Sequence, residues 1–173
     1  MAPEQELEII KTLEQSRDDL HSAVEGLNEA ESRTRPAEGR WSVLECLEHV
    51  AIVERRFLSR LEGAGQLESP IDPEREPRVL GMVTDRGQRR QAPEPVQPAG
   101  GFASVADALA DFDATRAEVI QHAQARHSEL RTLGAQHQLF GQVTGYELML
   151  IIAGHACRHA AQIREARATL AAR

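Results

Sequence analysis

An all-α, four-helix bundle with one long crossover connection between helices 2 and 3 is the fold this sequence predicts, and three observations carry the prediction. Apolar residues recur at helical spacing in four separate stretches, polar cap signals stand just ahead of three of them, and no segment alternates with period two over a useful length. At 173 residues the chain is long enough for a single domain with a core of its own.

In the first stretch Leu7, Ile10, Leu13, Leu20, Val24 and Leu27 fall at spacings of three, four and seven, which marks one buried face of a helix over about residues 4–30. Pro36 and Gly39 break that pattern, and Ser42 with Glu45 forms a capping box for a second helix over about residues 43–62. Residues 63–101 shift to Pro, Gly, Glu and Arg, with prolines at 70, 73, 77, 93, 95 and 98, and read as a long linker with a short turn around residues 78–86. Ser104 with Asp107 opens a third helix, about 105–128, in which Val105, Leu109, Phe112, Val119, Ile120 and Ala123 share a face. Thr144 and Glu147 cap a last helix over about residues 145–170. The loops between helices 1 and 2 and between helices 3 and 4 are short enough for antiparallel neighbours, whereas the linker permits a crossover along the bundle.

Composition excludes several classes of function. Asp and Glu number 27 against 20 Lys and Arg, a formal net charge of −7 that repels nucleic acid and anionic lipid, so no nucleic-acid or membrane partner is expected. The two cysteines, Cys46 and Cys157, form no C-x-x-C pair, which argues against a disulfide scaffold or a cysteine zinc cluster and suits a reducing cytoplasm. The start, MAPEQELEIIKTLEQ, lacks a basic segment followed by an apolar one, and the apolar run LMLIIA is far too short for a bilayer, so neither export nor membrane insertion is expected.

The chemistry concentrates in the last helix, GYELMLIIAGHACRHAAQIREAR, residues 145–167. At about 100° per residue, His155 and His159 lie about 40° apart, with Gln162 nearly above His155, on the stripe of Leu148, Ile151 and Ile152. Two imidazoles so spaced can hold one metal ion. His49, in ECLEHVAIVE, sits at the apolar face of the second helix. Three histidines from two helices would give a facial set of neutral nitrogen donors with a fourth position open, the composition of a catalytic zinc site that nickel or another divalent ion could also occupy. One buried histidine is more often bonded to a carbonyl, but three on buried faces each need a partner.

The neighbouring residues can be assigned in the same way. Glu45 is explained by its capping box rather than as a ligand, and Trp41 by packing at the helix start. Arg158 and Gln162 are candidates to orient a ligand or a substrate anion, and His137, ahead of Leu139-Phe140-Gly141, is a candidate to line the mouth of the site. Cys46 lies near the site and Cys157 about 200° from His155, both as small packing residues rather than nucleophiles. Ala156 after His155 excludes the H-E-x-x-H of a zincin. Cys46, Ile152 and Ala156, three residues before the histidines, exclude E-x-x-H di-iron ligation.

WSVLECLEHVAIVE (41–54), HQLFGQVTGYELMLIIAGHACRHAAQI (137–163) and the order of elements between them resemble the DinB-like superfamily of four-helix bundle metalloenzymes. The resemblance implies that W-S-x-x-E-x-x-x-H and H-x-x-x-H-x-x-Q-I supply a three-histidine metal site, here His49, His155 and His159. It also implies that members form homodimers, and that relatives include S-transferases and isomerases that use bacillithiol or mycothiol. The expected function is therefore a metal-dependent enzyme of the thiol S-transferase or hydrolase type. It would hold one divalent ion, zinc or nickel, with a low-molecular-weight thiol cosubstrate. The alternative is a non-catalytic homodimeric bundle whose metal is structural or absent.

Overall fold

Where a cap signal precedes an apolar face, the chain folds as helix from that cap onward. In the computed structural model, residues 3–87 and 90–173 are described, with only the backbone for residues 3–7, so the place of Leu7 on the first apolar face lies outside the described side chains. The long helices are α1 (Pro3–Val24), α3 (Val43–Glu62), α5 (Val105–Arg126) and α6 (Gly145–Ala171), with shorter α2 (Glu29–Arg33) and α4 (Glu76–Thr84) between them. Ser42 and Thr144 each accept from the backbone N–H of the glutamate three residues on, and that glutamate accepts in return from the cap's own N–H. Ser104 makes only the first of these bonds, from Asp107.

The first helix is shorter than its apolar periodicity suggests. Gly26 adopts a φ of +70°, the left-handed conformation that glycine reaches without a Cβ penalty, and the chain restarts at Asn28, whose capping box with Glu31 opens α2. Leu27 still packs on the core, so periodicity alone carries the expected helix past its end. The linker also holds more structure than a turn: a 3-10 turn at Pro73–Arg75 leads into α4, which lays Val79 and Val83 against α6.

The expectation of no sheet is corrected. Strands β1 (Gly65–Gln66), β2 (Leu133–His137) and β3 (Gly141–Thr144) form a small antiparallel sheet in the order β1-β2-β3, with Gly65 opposite Gly134 and His137 opposite Gly141. Such short strands are held by ladder hydrogen bonds to neighbours distant in sequence, and they are too brief to show a period of two.

The first and second long helices, and the third and fourth, are not neighbours, contrary to expectation. α1 packs on α6 and α5, and α3 packs on α5 and α6, so the pairs α1/α3 and α5/α6 lie across the diagonals of the bundle. Side-chain contacts fix the directions. Arg164 meets Asp19 and Arg167 meets the Ala23 carbonyl, so α6 runs parallel to α1. Gln162 meets Cys46 while His155 meets Phe57, so α6 runs antiparallel to α3. Glu48 binds residues 99–101, just ahead of α5, and Glu54 binds Arg116 within it, so α3 and α5 run parallel.

At the bundle centre Arg116 is fully buried. Its guanidinium pairs with Glu54 through two bonds, donates to the Leu13 carbonyl and Ser16 Oγ, and lies 4.9 Å from the Phe112 ring centroid. A charge so placed is tolerable only because its partner and its hydrogen bonds are all present. No helix among the described residues is long and apolar enough to cross a membrane.

Candidate metal centre

The antiparallel meeting of α3 and α6 brings the three histidines together. One donor nitrogen from each of His49, His155 and His159 lies within 4.8 Å of the others. The rings stand 4.5 to 5.1 Å apart between centroids and tilt toward one another. His49 and His159 are buried at 5% and 6% exposure, whereas His155 keeps a partly exposed edge.

Hydrogen bonding shows which nitrogen each ring can offer. His49 donates its Nδ1–H to the Val96 carbonyl at 2.6 Å, which leaves Nε2 with its lone pair, aimed at His155 Nε2 3.2 Å away. Two nitrogens bound to one tetrahedral ion at about 2.0–2.1 Å each lie about 3.4 Å apart, so this pair stands close to a coordination edge. His159 Nδ1 is buried without a hydrogen-bond partner. Buried polar atoms rarely lack one. An unpaired nitrogen within a convergent set of neutral donors fits a divalent metal ion.

Burial also holds the rings in the ligating form. Desolvation is the largest effect lowering the pKa of each, opposed at His49 by the Val96 carbonyl. His155 and His159 are pushed well below the ordinary value, by burial first and then by the neighbouring histidines and the Arg158 guanidinium. Three neutral imidazoles at pH 7 are three available lone pairs.

The other residues singled out in the sequence take distinct places. His137, on β2, stacks on Phe57 at 5.8 Å, and Phe57 turns its edge to His155 at 6.4 Å, so one aromatic ring separates His137 from the triad. Burial, with Arg60 and Arg90, lowers its pKa to about 4. Gln162 does not reach the triad through any described hydrogen bond. Its amide donates to Cys46 Sγ and accepts from Arg86. Arg158 bonds the Asp85 carbonyl beyond the end of α4 and acts on the histidines through its charge. Glu45 is held by Ser42 and Arg35, away from any ligand role. Burial pushes the Cys46 thiol up to about 12, and Cys157 is also raised, so neither supplies a thiolate at neutral pH.

Three partners of the site are not read from the sequence: the Val96 carbonyl, Phe57, and Trp41 as a ring 4.9 Å from His49. Phe57 lies two turns beyond His49 on the same helix, a spacing that could have marked it. A backbone carbonyl 47 residues downstream leaves no sequence signal.

Comparison with known proteins agrees with this fold. Residues 12–163 match the family described as the DinB superfamily. The chain is 24% identical over 151 residues to the uncharacterized protein YuaE of Bacillus subtilis, spanning 87% of this chain and 92% of that one. Among solved structures, TT2238, described as a four-helix bundle protein, superposes with a TM-score of 0.61 at 21% identity, covering 92% of this chain and 98% of its own. YfiT from Bacillus subtilis, described as a probable metal-dependent hydrolase with an unusual four-helix bundle topology, gives a TM-score of 0.60 at 17% identity, covering 99% and 90%. At these identities the two structures speak to the fold alone.

Proposed function

The chain belongs to the DinB superfamily, and from that premise we propose that it is a divalent-metal-dependent enzyme in which His49, His155 and His159 hold one ion, zinc or nickel. The observation that carries this reading is the donor set: three imidazole nitrogens from two helices within 4.8 Å, with no Cys, Asp or Glu joining the group among the described residues. Three neutral ligands leave a tetrahedral ion one position for a small molecule, whereas a structural site is closed by four.

Bound there, the ion would supply Lewis acidity, lowering the pKa of a water or thiol beside it toward neutrality. The chain's own residues prepare for that. Burial keeps the imidazoles unprotonated, the Val96 carbonyl orients His49, and Trp41 and Phe57 line two sides of the triad. The partly exposed edge of His155 is the open side, and His137, neutral at pH 7, lines the approach behind Phe57.

Two reaction types use an activated small nucleophile in this way. The description of YfiT as a probable metal-dependent hydrolase supports hydrolysis. The resemblance to thiol-dependent S-transferases supports transfer to a low-molecular-weight thiol. In the second case the sulfur comes from the cosubstrate, because burial keeps both protein thiols protonated.

Elemental analysis of the chain purified without a histidine tag or chelator, beside His155→Ala, tests the reading. About one equivalent of zinc or nickel in the parent and none in the variant is expected for a single site. No metal in either, and none taken up from added zinc or nickel, overturns it. The loaded protein is then assayed for ester or amide hydrolysis and for electrophile conjugation to bacillithiol or mycothiol; activity in one assay that disappears in His155→Ala identifies the reaction.

A further inference from the structure

Glu48 is buried next to His49 on α3, and no cation meets its carboxylate in any described ion pair. What meets it is backbone. Oε1 accepts from the N–H groups of Ala99 and Gly101, both at 2.9 Å, and Oε2 accepts from Gly100 at 3.0 Å. Three successive amides converging on one carboxylate form an anion nest, and bonds to an ionised group are the stronger kind. The nest depends on its glycines. Gly100 has a φ of +82°, and a Cβ on Gly101 would come 3.2 Å from Glu48 Oε1. Three residues upstream of the nest, the chain turns through Glu94–Val96 and delivers the Val96 carbonyl to His49 Nδ1.

Consecutive residues of α3 therefore hold one segment at two points. Glu48 clamps residues 99–101, and His49 takes its hydrogen-bond acceptor from residue 96 of the same segment. The segment is otherwise a proline-rich return from α3 to α5, with Pro93, Pro95 and Pro98 unable to donate to any ladder. Its carbonyl decides the tautomer of His49. With Nδ1–H engaged, the lone pair must sit on Nε2, the nitrogen facing His155.

We infer that Glu48 is a positioning residue for the metal site, gripping residues 99–101 so that the Val96 carbonyl holds His49 in its Nε2-ligating form. The inference rests on the reading of the triad as a metal centre. It assigns Glu48 no contact with the ion or with substrate. Loss of the partner that orients a ligating histidine typically weakens metal binding about 10- to 100-fold.

The test compares the full-length parent with Glu48→Gln, an isosteric change that places an NH2 donor against backbone donors. Two properties are measured in chelator-stripped protein: the His49 ring tautomer by long-range ¹H–¹⁵N correlation, and zinc affinity by competition with a chromophoric chelator. The parent should show a single tautomer protonated at Nδ1. Glu48→Gln should keep its cooperative helical unfolding, show His49 as a mixture of tautomers, and bind zinc about 10- to 100-fold more weakly. A parental tautomer with zinc affinity within about twofold of the parent overturns the inference. If the parent takes up no zinc, the metal reading has failed, and the tautomer alone decides the role of Glu48. Should Glu48→Gln not fold, Gly100→Ala strains the nest from the other side and leaves α3 intact. The same two shifts are expected there, and parental values overturn the inference.

Discussion

Arg116 with Glu54, and the three histidines, are polar groups buried in one bundle, and the contrast between them is informative. The ion pair is complete: opposite charges, two bonds between them, and the remaining guanidinium donors on Leu13 and Ser16. The triad is incomplete. Three groups of the same kind face one another, one nitrogen has no partner, and burial holds all three uncharged. The first layer needs nothing added and locks α1, α3 and α5 together. The second has lone pairs to give and an open edge at His155.

The largest effect is expected where the complete layer is broken. Arg116→Met leaves the Glu54 carboxylate buried and alone, which costs about 3–5 kcal/mol. For a chain of this size that lowers the thermal midpoint by roughly 6–20 °C. Glu54→Leu added to it should recover much of the loss, since a buried pair replaced by apolar groups is often neutral. Thermal denaturation of the single and double variants checks this. Equal midpoints for the two would show that the charge left behind is not what destabilises the single variant.

His155→Ala should behave in the opposite way. In metal-free protein it removes one of three crowded imidazoles and should change stability by less than about 1 kcal/mol. In the presence of zinc at about 1,000 times its Kd, the parent gains about 4 kcal/mol that the variant lacks. Thermal scans with and without zinc measure both quantities. A variant that zinc stabilises as much as the parent would place the metal elsewhere.

The pH dependence follows from the depressed histidines. Their folded pKa values lie below the ordinary 6.5, with His137 at about 4, so the unfolded chain binds more protons between these limits. Their contribution to stability is fully present above pH 6.5 and is lost as the pH falls through the folded values. Metal-free protein should thus lose thermal stability on acidification from pH 7 to pH 4, and a variant with His155 and His159 both replaced by Ala should lose less. The smallest effect belongs to Arg158. Arg158→Gln removes a positive charge that disfavours protonation of His155 and His159, so their folded pKa values should rise toward the ordinary value and the metal-free variant should lose slightly less thermal stability than the parent on acidification. A loss equal to or greater than the parent's would mean that burial and the other histidines alone set their protonation.

Several parts of this arrangement are legible in the amino-acid sequence. The capping boxes at Ser42 and Thr144 start α3 and α6 where the sequence places them, and the stripe of Leu148, Ile151 and Ile152 carries His155 and His159 inward. Asn28 with Glu31 is an equally local signal for α2, masked by the apolar residues that run on to Leu27. Arg116 gives no warning, because an arginine on an apolar face reads as an exception until Glu54 is found opposite it. The small sheet is hidden for a related reason: its strands are stabilised across the chain rather than along it.

Local chemistry is enough to decide where the helices begin, which faces are buried and which histidines those faces carry, since caps and periodicity act within a few residues of one another. Packing decides that α1 and α3, and likewise α5 and α6, lie on the diagonals, that α3 meets α6 antiparallel at the histidines, and that a carbonyl from the return segment fixes the His49 ring. Those outcomes depend on which surfaces fit together after the helices exist. Contacts between residues 47 or 106 apart in the chain have no periodicity to announce them.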